Sequence, residues 1–340
     1  MKPSVIASPE GAKQSKNNIL NIGSVKIPTN ILLAPMAGCT DLPFRLITRE
    51  HGAKFCFFEM VDCNSITYGA KRRVHSILKT LEEDRPIAAQ LLGRDPSKML
   101  AGAEEIIRAA KPLFLDINAA CPAKKVIKKK CGAYLLKDES ELCAIIKKLS
   151  SGLPIPVTVK LRIGYDKIDP GKIASLARRC EDSGASAIFV HGRTQVKGYS
   201  GPIDYASIKA IKESVDIPVF GSGNIFSPEL AKKMLDETGC DGILVARGAL
   251  GNPWIFEEIS DYITKGQMRS SSGLEMRKSV IKKHISAIEK FKDHGSKGNV
   301  GHMRKAVLWY LKGFPLAARV REKVSLVNSY EEMLKLIDSL

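Results

Sequence analysis

Short runs of apolar residues recur along the first three-quarters of the chain, and an amphipathic segment separates most neighbouring runs. The runs are continuous rather than alternating, which is typical of parallel strands covered on both faces. They start roughly 30 residues apart, the length of a β/α unit. We predict eight strands, within ILLAP (31–35), FCFFE (55–59), IAAQLL (87–92), LFLDIN (113–118), IPVTVKL (155–161), SAIFVH (186–191), IPVFG (217–221) and DGILVA (241–246). The amphipathic segments predict helices over residues 96–110, 139–150, 171–183, 205–214 and 228–237.

Eight such units within about 225 residues match the number and size of a (β/α)₈ TIM barrel. The alternative α/β architecture, an open doubly wound sheet, usually carries a GxGxxG motif after an early strand. No such motif follows the first predicted strand. We therefore expect an α/β TIM barrel over residues 26–260, preceded by a short N-terminal extension over residues 1–25.

The chain changes character after Trp254. Residues 261–340 contain no strand-like run; a polar linker is predicted over GQMRSSSG (266–273), and helical patterns cover residues 274–293, 299–312 and 329–339. This region is therefore predicted to form a small all-helical domain. The chain has 53 Lys+Arg against 36 Asp+Glu, a net charge of +17, and residues 261–330 alone carry +10. That excess favours a polyanionic partner, nucleic acid first and an anionic membrane second.

Several classes of protein are disfavoured by what the sequence lacks. No apolar stretch approaches the roughly 20 residues that span a bilayer, and the N-terminus has no apolar core typical of a signal peptide. The eight cysteines form no CxxC pair and the six histidines have no metal-ligand spacing, so no zinc or other metal site is predicted. We expect a cytoplasmic protein with free thiols and no membrane partner.

The active site of a barrel lies at the C-terminal ends of its strands. GSGN (221–224) and ARGALG (246–251) follow the seventh and eighth predicted strands, where many barrels bind phosphate through backbone N–H groups. The alternative is that these glycines only form tight turns. The candidates at the strand ends are Pro35, Met36, Ala37, Gln90, Asn118, Cys121, Lys160, His191, Arg193, Ser222, Gly223, Asn224, Ala246 and Arg247.

Three of these candidates carry distinctive chemistry. Lys160 ends an otherwise apolar strand, where an ammonium needs negative charge from a ligand or from an internal salt bridge. His191 is explained as well by a satisfied core histidine. Cys121 precedes Pro122, which favours an extended loop, and a thiol that is mostly protonated at neutral pH suits a general acid. The nearby KKVIKKK (124–130) faces either phosphates or solvent.

These residues occur within motifs that resemble those of bacterial tRNA-dihydrouridine synthases. The matching segments run in the family's order and are APMAGCTDLPFR (34–45), QLLG (90–93), DINAACPAKKV (116–126), GAYLL (132–136), VTVKLRIGY (157–165), VHGRT (190–194), GSGNI (221–225) and GCDGILVARGALGNPWIF (239–256). In the tail, RKAVLWYLKGFPLAARVRE (304–322) resembles the family's helical RNA-binding domain more weakly.

The resemblance implies a flavin enzyme that reduces the C5–C6 double bond of specific uridines in tRNA. NADPH, or NADH, would deliver hydride to FMN, the reduced flavin would pass hydride to C6, and Cys121 would protonate C5. Asn118 would orient the uracil, and Arg193 and Lys124 are further substrate candidates. The implied FMN contacts are Pro35, Met36, Ala37, Gln90, Lys160, His191, Ser222, Gly223, Asn224, Ala246 and Arg247.

Two other classes of function remain open. A related flavin barrel would reduce a free pyrimidine or another small ene substrate, although such an enzyme does not need a basic helical tail. A non-catalytic RNA-binding protein would account for the charge and for the departures from the family pattern at Ala120, Ser222, Asn224 and Ala306.

Overall fold

The computed structural model describes residues 20–68, 71–268, 273–292, 295–312 and 317–340. Two strands, β1 (Leu20–Ile22) and β2 (Val25–Ile27), form an antiparallel hairpin. Eight further strands form one parallel sheet: β3 (Ile31–Leu33), β4 (Cys56–Asp62), β5 (Ile87–Leu92), β6 (Leu115–Asn118), β7 (Val157–Arg162), β8 (Ile188–His191), β9 (Val219–Ser222) and β10 (Gly242–Val245).

The parallel sheet curves into a nearly closed barrel. Its strands follow chain order from β4 to β10, and β10 pairs with β3. The two edge strands meet where the Leu33 N–H donates to the carbonyl of Phe55, which immediately precedes β4, at 3.0 Å. The predicted α/β TIM barrel and its eight strands are confirmed.

The helices of the described chain are α1 (Leu42–Glu50), α2 (Cys63–Tyr68), α3 (Lys71–Ile77), α4 (Pro96–Ala110), α5 (Lys124–Lys128), α6 (Glu139–Gly152), α7 (Pro170–Asp182), α8 (Tyr205–Ser214), α9 (Pro228–Thr238), α10 (Ile255–Lys265), α11 (Leu274–Phe291), α12 (Gly295–Tyr310), α13 (Ala317–Leu326) and α14 (Tyr330–Asp338). Short 3₁₀ turns cover Glu82–Asp84, Gly132–Lys137 and Arg247–Ala249.

The five helices predicted between strands are present as α4 and α6 to α9, and each end lies within two residues of its prediction. Each helix begins where a short polar side chain accepts a hydrogen bond from a backbone N–H three residues later, which satisfies a donor that the first turn leaves unpaired. These capping residues are Asp95, Asp138, Asp169, Asp204 and Ser227.

Aromatic rings fill the lower part of the barrel, and polar groups occupy the C-terminal mouth. The Phe57 and Phe189 rings meet edge to face with centroids 5.5 Å apart, and Phe189 also packs on Phe220 at 4.9 Å. The β1–β2 hairpin closes the lower end of the barrel, because Ile22 and Ile27 are fully buried against this cluster of aromatic rings. The hairpin includes part of the predicted N-terminal extension, whose first 19 residues lie outside the described chain.

The tail is helical, as predicted. Helices α11, α12 and α14 correspond to the three predicted tail helices, although α12 begins at Gly295 rather than at residue 299. Helix α13 was not predicted, because most of its side chains are exposed and its amphipathic pattern is weak. Of the predicted polar linker, residues 269–272 lie outside the described chain. None of the helices in the described ranges is long and apolar enough to cross a membrane.

The tail helices pack together around their own apolar cluster and lie against α1 of the barrel. The Trp309 ring of α12 meets the Phe44 ring of α1 with centroids 5.6 Å apart. Ala306, one of the departures from the family pattern, is buried in the tail cluster at 2% exposure. Its side chain therefore packs within the protein rather than facing a partner.

Candidate active site

Parallel register brings the strand-end candidates together at one mouth of the barrel. Asn118 of β6 lies opposite Lys160 of β7, and Arg162 of β7 lies opposite His191 of β8. His191 in turn lies opposite Ser222 of β9. Residues in register point to the same face of a sheet, so these side chains share the interior of the barrel.

Asp116, a buried acid that the sequence analysis did not single out, organises this interior face. Its carboxylate accepts hydrogen bonds from Gln90 Nε2 at 2.7 Å and from Thr158 Oγ1 at 2.8 Å. Gln90 Oε1 accepts in turn from Asn118 Nδ2 at 2.8 Å. Burial raises the pKa of Asp116, and the two hydrogen bonds and the Lys160 ammonium act against that rise. The available signal was a carboxylate within the apolar run LFLDIN, since a buried acid requires partners.

Asn118 links this interior chain of hydrogen bonds to the loop that carries Cys121. Asn118 Oδ1 accepts from the backbone N–H of Ala120 at 3.1 Å and of Cys121 at 2.9 Å. From the other side, Arg162 Nε donates to the Ala120 carbonyl at 2.7 Å. Ala120 has no positive φ, so its Cβ is tolerated where the family pattern has glycine. Cys121 is thus held by its backbone, and its side chain is partly exposed.

Gly132 packs against this loop, and we expect Gly132→Ala to displace Cys121. A Cβ at Gly132 would lie 2.8 Å from the Cys121 carbonyl oxygen. A control is Gly239→Ala, because Gly239 has nearly the same φ (+65° against +63°) but open space around it. Both variants should lose about 1–2 kcal/mol of stability from left-handed strain. Only Gly132→Ala should also lower turnover, by about tenfold or more; equal turnover in the two variants would contradict the tight packing.

Lys160 of β7 places an ammonium in the barrel interior. Among the described residues, none forms a hydrogen bond or ion pair with it, so the internal salt bridge considered as an alternative is not formed. Burial lowers the pKa of Lys160, as does the Arg162 guanidinium, whereas Asp116 and Cys121 act in the opposite direction. A half-buried cation held in this way favours an anionic ligand.

His191 is only partly satisfied. Its Nδ1 lies 3.4 Å from Ser222 Oγ, but its Nε2 is buried without a hydrogen-bond partner in the described structure. Burial first, and then the charges of Lys160 and Arg162, hold the pKa of His191 well below its usual range. The imidazole is therefore neutral at physiological pH, with one polar nitrogen available to a ligand.

The glycine-rich loops after β9 and β10 expose backbone donors. Gly223 and Asn224 have positive φ values of +131° and +52°. The backbone N–H groups of Gly223, Asn224 and Arg247 donate to no acceptor within the described residues. Arg193 Nη2 donates to Asn224 Oδ1 at 2.9 Å, and Arg193 Nη1 is buried without a partner in the part of the chain that the structure describes. Arg193, predicted to contact substrate, thus supports the predicted phosphate loop.

The remaining candidates lie at the rim of the mouth. Arg247 is exposed, with its guanidinium carbon 4.7 Å from the Tyr199 ring centroid. Pro35 and Met36 are half-buried in the loop after β3, and Ala37 is exposed. In the residues that the structure describes, no cluster of three or more metal-ligating side chains is present.

The unpaired groups fit the flavin that the resemblance implies. Backbone N–H groups that have no acceptor among the described residues lie with two guanidinium groups at the ends of β9 and β10, and such a set of donors would suit a phosphate. The Lys160 ammonium and His191 Nε2 lie further round the same interior, where the edge of a flavin ring would need donors. An anionic, partly planar ligand would satisfy both groups of donors.

A cleft of about 1600 Å³ opens between this mouth and the tail helices. Ala37, Met60 and Val126 line its barrel side, and Cys121 packs against the small cluster that contains Val126. Basic side chains also line the cleft, namely Lys79, Lys125, Lys129 and Lys292. Lys124, the predicted substrate residue, is exposed on the same short helix as Lys125.

The fold defines a class of protein, the TIM barrels, in which helices surround a barrel of eight parallel strands. Solved structures with this fold include a morphinone reductase variant in complex with tetrahydroNAD (TM-score 0.55, 11% identity, 76% of this chain and 93% of that chain). The old yellow enzyme homologue from Zymomonas mobilis aligns similarly (TM-score 0.52, 13% identity, 76% and 95%).

The sequence comparison defines the family. The dihydrouridine synthase (Dus) family model matches residues 32–339, and the chain belongs to that family. It is 37% identical to tRNA-dihydrouridine synthase B of Pseudomonas aeruginosa over 89% of this chain and 90% of that protein. It is 33% identical to the Vibrio cholerae protein of the same name, over 94% and 98%. Family membership favours the tRNA-modifying enzyme over the two alternative classes of function.

Proposed function

We propose that the protein reduces the C5–C6 double bond of specific uridines in tRNA in the cytoplasm, with FMN as its flavin, NADPH as reductant and Cys121 as proton donor. The observation that carries the proposal is the placement of Cys121. Its backbone is fixed by Asn118, and Asn118 lies in register with Lys160, which has no partner among the described residues. The flavin, when bound, supplies the hydride that adds to C6 of the base.

The hydrogen bonds support a distinct role for each residue. Asn118 and Arg162 hold the Cys121 loop from two sides, so the thiol is oriented before a base arrives. A protonated thiol can give its proton to the carbon next to the one that accepts hydride, and no base is needed to activate it. Lys160 and His191 would bind the flavin ring edge.

The cleft and the tail support RNA as the substrate. A uridine in folded tRNA must leave its stack, at a cost of a few kcal/mol. Contacts between phosphates and the exposed lysines of α5, namely Lys124, Lys125 and Lys128, would offset that cost and help to set the register of the RNA. We propose that residues 261–340, of which residues 261–330 carry a net charge of +10, form the RNA-binding domain of the enzyme.

Dihydrouridine mapping tests the proposal directly. We expect tRNA from cells that lack this protein to lose dihydrouridine at one or more positions, and the wild-type protein to restore it. The purified protein should be yellow and show the absorption bands of bound FMN. An unchanged dihydrouridine map, with reduction of free uracil by the pure protein, would instead identify a small-molecule reductase. Failure to bind supplied FMN would contradict a flavin enzyme altogether.

A further inference from the structure

The loop after β3, residues 36–41, is held by charged side chains from other parts of the chain. Within the loop, the N–H groups of Cys39 and Thr40 donate to the Met36 carbonyl at 2.9 and 3.1 Å, which closes a tight turn. Gly38 lies at the exposed apex of this turn with a φ of +73°. Three residues of the predicted flavin site, at positions 35–37, lead directly into it.

Both polar backbone groups of Gly38 are engaged by charged side chains. Its N–H donates to the Glu59 carboxylate, and its carbonyl accepts from the Lys305 ammonium of α12. Glu59 lies where the β4–β5 register shifts between Phe57 and Met60, and such irregularities re-aim side chains near active sites. Burial raises the pKa of Glu59, and the Gly38 hydrogen bond opposes that rise.

A second ammonium from the tail holds the end of the same loop. Lys292, which follows α11, lies 2.7 Å from Asp41 Oδ2, and the two side chains are only 9% and 12% exposed. Burial alone would raise the pKa of Asp41, but the Lys292 ammonium lowers it below its usual value. Asp41 also caps α1 by accepting from the Phe44 N–H. Two tail lysines thus fix both the apex and the end of this loop.

We propose that Lys305 is a positioning residue for the flavin: with Glu59 it clamps Gly38 and holds the loop after β3 in its cofactor-binding conformation. Docking of the tail on the barrel then completes the cofactor site as well as the RNA cleft. Without the clamp, cofactor binding would have to order the loop, which lowers affinity. This inference rests on the proposed function, because it takes the ligand of that loop to be FMN.

Lys305→Met, Lys305→Arg and Lys283→Met form a matched set of variants. Lys283 also joins the tail to the barrel, through Glu50 at 2.8 Å, but this pair is exposed and does not contact the loop. We expect Lys305→Met to raise the Kd for FMN about tenfold or more, as for loss of a charge-assisted hydrogen bond. The Kd of Lys305→Arg for FMN should stay within about threefold of the wild-type value. The Kd of Lys283→Met should equal the wild-type value. FMN release from diluted holoenzyme, read by flavin fluorescence, gives these constants.

Three outcomes overturn the inference: a wild-type Kd and bound-flavin spectrum in Lys305→Met, equal weakening in Lys283→Met, or an arginine variant as weak as the methionine variant. If Lys305→Met does not fold, Glu59→Gln decides, because it keeps an acceptor for the Gly38 N–H but removes the charge. We expect Glu59→Gln to weaken FMN binding by about threefold, and a wild-type constant overturns the clamp. Wild-type protein that binds no FMN contradicts the proposed function itself, so the two failures are distinguishable.

Discussion

Replacing Cys121 with alanine is expected to lower dihydrouridine formation about 10²- to 10⁴-fold, the usual contribution of a positioned general acid. The backbone of the loop should not move, because Asn118 and Arg162 bind backbone atoms of residues 120 and 121 rather than the thiol. FMN should therefore stay bound, and its reduction by NADPH should keep its wild-type rate. Stopped-flow flavin reduction and single-turnover tRNA assays separate the two half-reactions.

A control for this variant is Cys143→Ala, since Cys143 is a partly exposed cysteine on α6, outside the barrel mouth. It should retain wild-type rates in both half-reactions. Wild-type tRNA turnover by Cys121→Ala would falsify the proton-donor role, because dihydrouridine would then form at its full rate without the thiol. A loss of flavin reduction in Cys121→Ala would instead indicate that the thiol supports the cofactor.

The barrel could be predicted from the sequence because its signals are local. A parallel strand buried on both faces is a continuous apolar run, so segments such as IAAQLL and DGILVA marked their own positions. The starts of the five helices predicted between strands were equally local, since an aspartate or serine caps each of them. Once the strands were known, the rule that barrel strands end at the active site placed Lys160 and His191 at one mouth.

The support of the site could not be predicted in the same way, because it depends on contacts between distant segments. Asp116 pairs with Gln90 and Thr158, which lie 26 and 42 residues away. Lys305 reaches Gly38 across 267 residues, after the tail has folded back over the barrel. A sequence pattern shows that a buried acid needs partners, but only the packed structure determines which partners it has.

Asn224, which follows β9, illustrates a departure from the family pattern that the backbone tolerates. Asn224 has a φ of +52°, and asparagine enters this left-handed region more readily than most residues. Its side chain accepts from Arg193, and its backbone N–H remains available to a ligand. The role of Ser222 and Asn224 in binding FMN stays a prediction, supported by donors that do not depend on the side chains at these two positions.

Asp84→Ala is expected to destabilise the protein by about 3–5 kcal/mol, because it leaves a fully buried guanidinium without its counter-charge. Asp84 and Arg45 are both completely buried, 2.7 Å apart, and Arg49 binds the same carboxylate at 3.1 Å. Arg45 also donates to the Thr40 carbonyl at 2.7 Å, so this ion pair supports the loop that leads to Gly38. The loss should appear as a lower midpoint of urea unfolding.

Glu82→Ala is the matched control, because Glu82 lies in the same 3₁₀ turn but its side chain is 94% exposed. Its carboxylate forms a long ion pair with Arg85, at 3.8 Å. Exposed pairs of this kind contribute about 0–1 kcal/mol, so the urea midpoint of Glu82→Ala should stay close to that of wild type.

If Asp84→Ala unfolds at the wild-type midpoint, Arg45 must find another partner. FMN affinity should then also be unchanged, since the Thr40 carbonyl would still be held. A weakened FMN affinity without a loss of stability would show instead that the ion pair acts on the loop alone.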